Sequence, residues 1–346
     1  MSIFSLSIAA SRLHSNSLGA VRSIPKPSRF GSALRTIAIR HFTASSQSRT
    51  DLLVSTDWLA ERIGANSRVK VLDGSWHMPN SGRNPRAEYL TKRIPGARFF
   101  DIDDVKDHSN PLPHMLPRTA KEFEQHLASL GVYDGDHVVV YDSVGMFSAP
   151  RVFWTFKAFS FPTVSVLQGG LPKWVAEKRS VHTSSDSVPV ISLPKPGQIE
   201  IQGRKLFTAV PRTDIVSDFS TILERVAANA AGSHNQIADA RPRGRFTGAD
   251  PEPRAGLSSG HMSGAVSMPL DTVIEGGKLK SPEEIRRAAT AAGIDLSKPI
   301  TTTCGSGITA SVLYLAFKAA GAPNVAVYDG SWTEYASKPN APIVKS

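Results

Sequence analysis

By its pattern the chain is of the α/β class: two tandem domains, each a parallel sheet flanked by helices. Two observations predict this. Short apolar strands alternate with helical stretches, an order that requires parallel pairing with helices on both faces. The second half then repeats the first. Gln236-Ile-Ala-Asp-Ala-Arg answers Val69-Lys-Val-Leu-Asp-Gly, and His261-Met-Ser-Gly-Ala answers Arg93-Ile-Pro-Gly-Ala. Leu315-Ala-Phe-Lys-Ala-Ala answers Trp154-Thr-Phe-Lys-Ala-Phe, and Val325-Ala-Val-Tyr-Asp-Gly answers Val164-Ser-Val-Leu-Gln-Gly. Matches in the same order along 346 residues give two homologous domains.

Residues 1–50 stand apart. They carry Arg12, Arg22, Lys26, Arg29, Arg35, Arg40 and Arg49, with no acid before Asp51. Most of the formal net charge of +10 therefore sits in this segment, and the remainder is near neutral. A basic, Ser-rich, acid-free N-terminus is the pattern of a mitochondrial presequence. The run Arg40-His-Phe-Thr-Ala-Ser resembles matrix processing sites and puts the mature start near Thr50. The same distribution argues against nucleic-acid binding by the folded part. No stretch approaches the roughly 20 apolar residues of a membrane span, so no stable membrane association is expected.

The first domain is expected over residues 51–180. A helix capped at Ser55 or Thr56 opens it, followed by a strand at Val69–Asp73. A helix around residues 121–130, the strand His137-Val-Val-Val-Tyr, a helix from about Pro150 and the strand Val164-Ser-Val-Leu complete it. Residues 181–204, with Ser184, Ser185, Ser187, Pro189, Pro194, Pro196 and Gly197, read as an extended linker. The second domain occupies 205–346.

The one cysteine of the chain rules out an internal disulfide and a multi-thiolate zinc site. Alone, it is ordinarily a buried small hydrophobe. Its surroundings differ from that. Pro299-Ile-Thr-Thr-Thr-Cys-Gly-Ser-Gly-Ile-Thr-Ala reads as strand, tight loop and helix, with Cys304 where the strand stops. Gly305 and Gly307 permit backbone angles other residues resist, so N–H groups can converge on the sulfur. The helix from about Ile308 turns its positive end to the same place. Such settings favour a thiolate and the terminal anion of a persulfide. In the repeat, Cys304 falls opposite Asp142 or Ser143, so only the second domain has a nucleophile.

Three rival chemistries use similar loops. A cysteine phosphatase needs Arg six residues after the nucleophile, where this chain has Ala310. A nucleotide P-loop needs a Gly-Lys-Ser/Thr run that is absent. Gly305-x-Gly307-x-x-Ala310 with Asp329 imitates a dinucleotide fingerprint, but begins too near the C-terminus for the strands such a domain requires.

A Cys-to-Thr loop in the second of two repeated α/β domains resembles the rhodanese superfamily over residues 51–346. The segments Tyr328-Asp-Gly-Ser-Trp and Gly169-Gly-Leu-Pro-Lys-Trp are similar to that family too. Within it, four places resemble the members that use mercaptopyruvate rather than thiosulfate. These are the uncharged Gly305-Ser306 after the cysteine, Arg254 in Pro-Glu-Pro-Arg, His114 between prolines, and Asp103 in Asp-Ile-Asp.

The resemblance implies sulfur transfer through a Cys304 persulfide, with no metal or organic cofactor. It implies a loop of Gly305, Ser306, Gly307, Ile308 and Thr309 around the substrate, and Arg245 and Arg254 on its carboxylate and carbonyl oxygens. A guanidinium fork suits that target. The alternative for either arginine is a surface pair with Asp250 or Glu252. Ser306, His114 and Asp103 match a proton relay of the family, in which Asp orients His and His acts on Ser. The implied donor is 3-mercaptopyruvate, and the acceptor thioredoxin, another dithiol or cyanide. The alternatives are thiosulfate as main donor and a non-catalytic sulfur-relay or binding module.

Overall fold

A computed structural model of the protein describes residues 52–64, 68–187, 198, 200–201 and 203–346. The expected presequence and its processing site lie outside the described residues.

Strands β1 (Leu53–Val54), β2 (Val69–Asp73), β3 (Arg98–Phe99), β4 (His137–Tyr141) and β5 (Val164–Leu167) form one sheet in the order β1-β5-β4-β2-β3. A second sheet contains β6 (Val216–Ser217), β7 (Gln236–Asp239), β8 (Ala265–Ser267), β9 (Ile300–Thr303) and β10 (Val325–Tyr328), in the order β6-β10-β9-β7-β8. The two orders are the same once the strands are aligned, and every pairing in both sheets is parallel. The central strands β4 and β9 are buried along most or all of their length. That is why they read as runs of Val and Thr with no polar alternation.

Local chemistry sets the helix ends. Ser55 caps the helix at Thr56–Ala60 by accepting the Trp58 N–H. Thr119 with Glu122, and Ser281 with Glu284, form capping boxes that start the helices at Ala120–Ser129 and Pro282–Ala291. Two further helices determine the shape: α1 (Ala149–Ala158), after β4, and α2 (Ile308–Ala319), after β9. They are equivalent in the repeat and pack on each other across the domain boundary. Every residue of α1 is buried, and α2 is buried over nearly its whole circumference. Helices apolar on all sides belong at such a position. One hydrophobic cluster joins Leu72, Val140, Trp154 and Phe156 of the first domain to Leu313, Phe317 and Val327 of the second.

The stretch read as a linker is tied down at both of its ends. His182 bridges to Arg93, whose guanidinium donates to the carbonyls of Thr183 and Asp186. Glu200–Ile201 pairs antiparallel with Arg204–Lys205. Ordering by a buried arginine and a short hairpin leaves no trace in composition.

The turn after β4 is built around a carboxylate. Asp142 is the first residue past the strand, as Cys304 is past β9, which settles the alignment in favour of Asp142 over Ser143. Its Oδ1 accepts from Val144 and Gly145, and its Oδ2 from Phe147, Ser148 and Ala149, at 2.6–2.9 Å. Asp142→Ala would orphan five donors, of which the three buried ones, on Gly145, Ser148 and Ala149, each cost about 1–3 kcal/mol when unsatisfied. Denaturant unfolding should show a loss of about 3 kcal/mol or more; a loss below about 1 kcal/mol would remove Asp142 as the organiser of this turn.

Candidate active site

Cys304 leaves β9 with its side chain only 2% exposed. Its neighbours' carbonyls are turned away from the sulfur by the helix that follows β10. The Cys304 carbonyl accepts from the Trp332 N–H at 2.9 Å, and the Gly305 carbonyl from the N–H and hydroxyl of Thr333 at 2.9 and 2.6 Å. With the carbonyls engaged there, Gly307 donates its N–H to the Cys304 Sγ at 3.1 Å. The sulfur thus has one amide donor at the start of α2, where the loop's glycines suggested several. Ile308 is buried and Thr309 half-buried in the first turn of that helix.

The two glycines of the loop serve different needs. Gly307 has φ +83°, in the region that disfavours side chains. Gly305 has no such angle, and its open side faces two arginines. A Cβ there would lie 3.2 Å from Arg245 Nη2 and 3.9 Å from Arg254 Nη1. Both guanidinium groups therefore stand over the residue after the cysteine. They are not equally free. Arg245 pairs with Glu252, a side chain 3% exposed that also accepts from Arg241 at 2.8 Å. Arg241 is held in turn by Asp239 at 2.6 Å and lies 3.9 Å over the Trp332 ring. The surface-pair alternative with Glu252 thus describes Arg245 as to its partner, although the Glu252 side chain is buried. Arg254 makes no ion pair among the described residues. Burial lowers its pKa, and the nearby Arg245 does likewise, while Cys304, Glu252 and Asp103 pull it back up.

The loop that brings Arg254 is anchored to the same helix as the cysteine turn, because Trp332 Nε1 donates to the Ser258 carbonyl at 2.9 Å. The groups of the expected relay come mostly from the other domain. Asp101 caps the short helix Ile102–Val105 and so presents Asp103. The Trp76 indole N–H donates to Asp103 Oδ2 at 2.9 Å, and His114 Nδ1 lies 2.8 Å from Oδ1, off the line of a well-aligned hydrogen bond. The His114 ring stands edge-on to Trp76 with centroids 4.7 Å apart. His114 is buried at φ +60°, a strained backbone for a residue with a side chain. Burial pushes its pKa below the ordinary histidine value; Asp103 opposes this, and Arg151 and Arg254 add to it. The Asp103 carboxyl is raised by burial, but His114 and the Trp76 N–H outweigh that and leave it below its usual range.

The structure joins Asp103 to His114 and does not join His114 to Ser306. Ser306 is buried, and His114 Nε2 has no hydrogen-bond partner. Asp103, His114 and Arg254 share a cleft of about 650 Å³ with Trp76, Arg83 and Arg86, which Cys304, Ser306 and Arg245 do not line.

Sequence reasoning missed Arg241, Trp76 and Arg151, and named Glu252 only as a surface partner of the arginines. Arg241 had one signal, because it closes the matched segment that runs from Gln236; Trp76 and Arg151 are ordinary residues until the chain is folded.

The rhodanese-like domain family matches the chain twice, over residues 55–177 and 223–338. The chain is 41% identical over 289 residues to the 3-mercaptopyruvate sulfurtransferase of Rattus norvegicus, covering 82% of this chain and 91% of the relative. It is also 41% identical over 290 residues to the thiosulfate sulfurtransferase of Bos taurus, with the same coverage. The crystal structure of SseA from Escherichia coli, described as a 3-mercaptopyruvate sulfotransferase, superposes with a TM-score of 0.69 at 36% identity, covering 82% of this chain and 99% of that one. With both of its domains matched and relatives aligned over most of their length, the chain belongs to the rhodanese family.

Proposed function

We propose that the protein is a sulfurtransferase that moves sulfur from 3-mercaptopyruvate through a Cys304 persulfide to a thiol acceptor or cyanide, releasing pyruvate. One observation carries this: two arginines converge over Gly305, beside the chain's one cysteine, whose sulfur already accepts an amide N–H. Overall identity does not choose the donor, since mercaptopyruvate and thiosulfate relatives match equally well. The uncharged Gly305-Ser306 favours a donor that brings its own carboxylate to Arg254 over a compact dianion wanting cations at the sulfur.

In the first half-reaction the Cys304 thiolate attacks the sulfur of the donor. An S–S bond forms and the C–S bond breaks, its electron pair passing into the ketone. The resulting enolate takes up the proton lost from the donor's thiol, giving pyruvate and the persulfide anion. Arg254 seats the carboxylate, and Arg245, fixed by Glu252, lends its remaining N–H to the carbonyl oxygen. The neutral His114, oriented by Asp103, is the group to carry that proton with Ser306. In the second half-reaction thioredoxin, another dithiol or cyanide attacks the outer sulfur and restores the thiolate. All of this is covalent catalysis by side chains of the chain itself. Import into the mitochondrial matrix, directed by residues 1–50, completes the proposal; the composition of that segment supports it.

Cys304→Ser should abolish transfer from both donors. Arg254→Gln removes a charge-assisted hydrogen bond of roughly 1.5–3 kcal/mol. With cyanide as acceptor, kcat/KM for mercaptopyruvate should fall about 10- to 150-fold and that for thiosulfate much less. An unchanged ratio between the donors, or thiosulfate turned over faster by the unaltered protein, would overturn the choice of donor.

His114 supplies a pH prediction. Its pKa is below the unfolded value of about 6.5, so the folded state binds fewer protons there. Stability should therefore fall as pH drops from about 6.5 towards the folded midpoint. His114→Gln should flatten that part of the stability–pH curve, and an imidazole titrating at or above 6.5 in the NMR spectrum would contradict it.

A further inference from the structure

The first domain sends one buried cation to the cysteine turn. Arg151, in the first turn of α1, is 1% exposed and pairs with Asp329, at the end of β10, at 2.7 Å. The same Nη2 also donates to the His114 carbonyl. The other Asp329 oxygen accepts the Leu116 N–H at 2.9 Å, so the two charges hold the His114 segment from both sides. Arg151 reaches further. A Cβ on Gly307 would lie 2.4 Å from Arg151 Nη1, and that atom, like Nε, is buried with no hydrogen-bond partner. The arginine is thus wedged between the strained His114 backbone and the glycine whose N–H reaches the Cys304 sulfur.

We propose that Arg151 is a positioning residue for sulfur transfer, locking His114 and the Gly307 turn of the cysteine loop into one fixed arrangement across the domain boundary. The inference rests on the sulfurtransferase reading. It explains why a domain without a nucleophile is needed: it fixes the backbone of His114 relative to the Gly307 turn. A planar fork is required, since a lysine cannot span the His114 carbonyl, the Asp329 carboxylate and the face of Gly307 together.

The test uses the full chain with mercaptopyruvate as donor and cyanide as acceptor. Arg151→Met should lower kcat about 10- to 100-fold, as displacements near 1 Å do, with KM changed less than about threefold; Arg151→Lys should fall between. The pH profile separates positioning from mere support of the fold. The charged groups facing His114 are Asp103, Arg151 and Arg254, with Asp329 behind Arg151. Loss of the Arg151 charge should move the acid limb of kcat to higher pH, and Asp329→Asn, which leaves that charge uncompensated, should move it to lower pH. If Arg151→Met does not fold, the Asp329→Asn profile decides. A kcat within about twofold of the parent, or a limb that stays in place while only the unfolding midpoint drops, overturns the proposal. Failure of the sulfurtransferase reading shows separately, as no turnover by the unaltered protein.

Discussion

Each domain depends on a sharp turn that follows its central strand and runs directly into a buried helix. A strand ending against a helix start leaves backbone N–H groups facing one small volume, and such donors need an anionic or polar partner when water is excluded. The first domain answers with the Asp142 carboxylate, which takes five of them. The second domain places Cys304 at the same position and gives its sulfur one amide. The two halves thus share an architecture and differ in what completes the turn. In one it is a carboxylate that accepts five N–H groups; in the other it is a sulfur that accepts one.

The remaining site groups depend on the way the halves are joined. Because α1 and α2 pack on each other and share one apolar cluster, the turns preceding them are brought close. Residues from residue 76 to residue 114 can then stand beside a loop that starts at residue 304. The cations in this region are held by buried acids: Arg241 by Asp239 and Glu252, Arg245 by Glu252, and Arg151 by Asp329. Buried pairs of this kind contribute little net stability but make each charge hard to move. Arg254 differs from these three: it stands over Gly305 without an ion-pair partner among the described residues.

Most of the fold was legible because its causes are local. Strand composition and the ordered repeat of four segments gave the central strands of both sheets and the two helices packed between the domains to within a residue or two, while the short edge strands and the helices Phe219–Ala230 and Pro282–Ala291 went unread. Cys304 was legible because strand, glycine turn and helix lie next to one another in the chain. Legibility ended where meaning came from distant parts. Arg151 reads as one polar residue in an apolar helix, and only Asp329, 178 positions later, gives it a role. Glu252 looked like a surface acid and is buried between two arginines. Gly305 was credited with an unusual backbone angle that it does not have; what marks it is the closeness of Arg245 and Arg254. The Asp103–His114 contact was anticipated from family likeness; periodicity and spacing contain no sign of it.

The lengths of the two turns differ in a way that matters for turnover. Seven positions separate Asp142 from the start of α1, but four separate Cys304 from the start of α2. The longer turn is saturated, its donors already committed to two oxygens. The shorter one gives the Cys304 sulfur a single donor, so far fewer of the fold's hydrogen bonds hang on that atom than on the Asp142 carboxylate. The nucleophile proposed for sulfur transfer thus sits where the scaffold leans on it least.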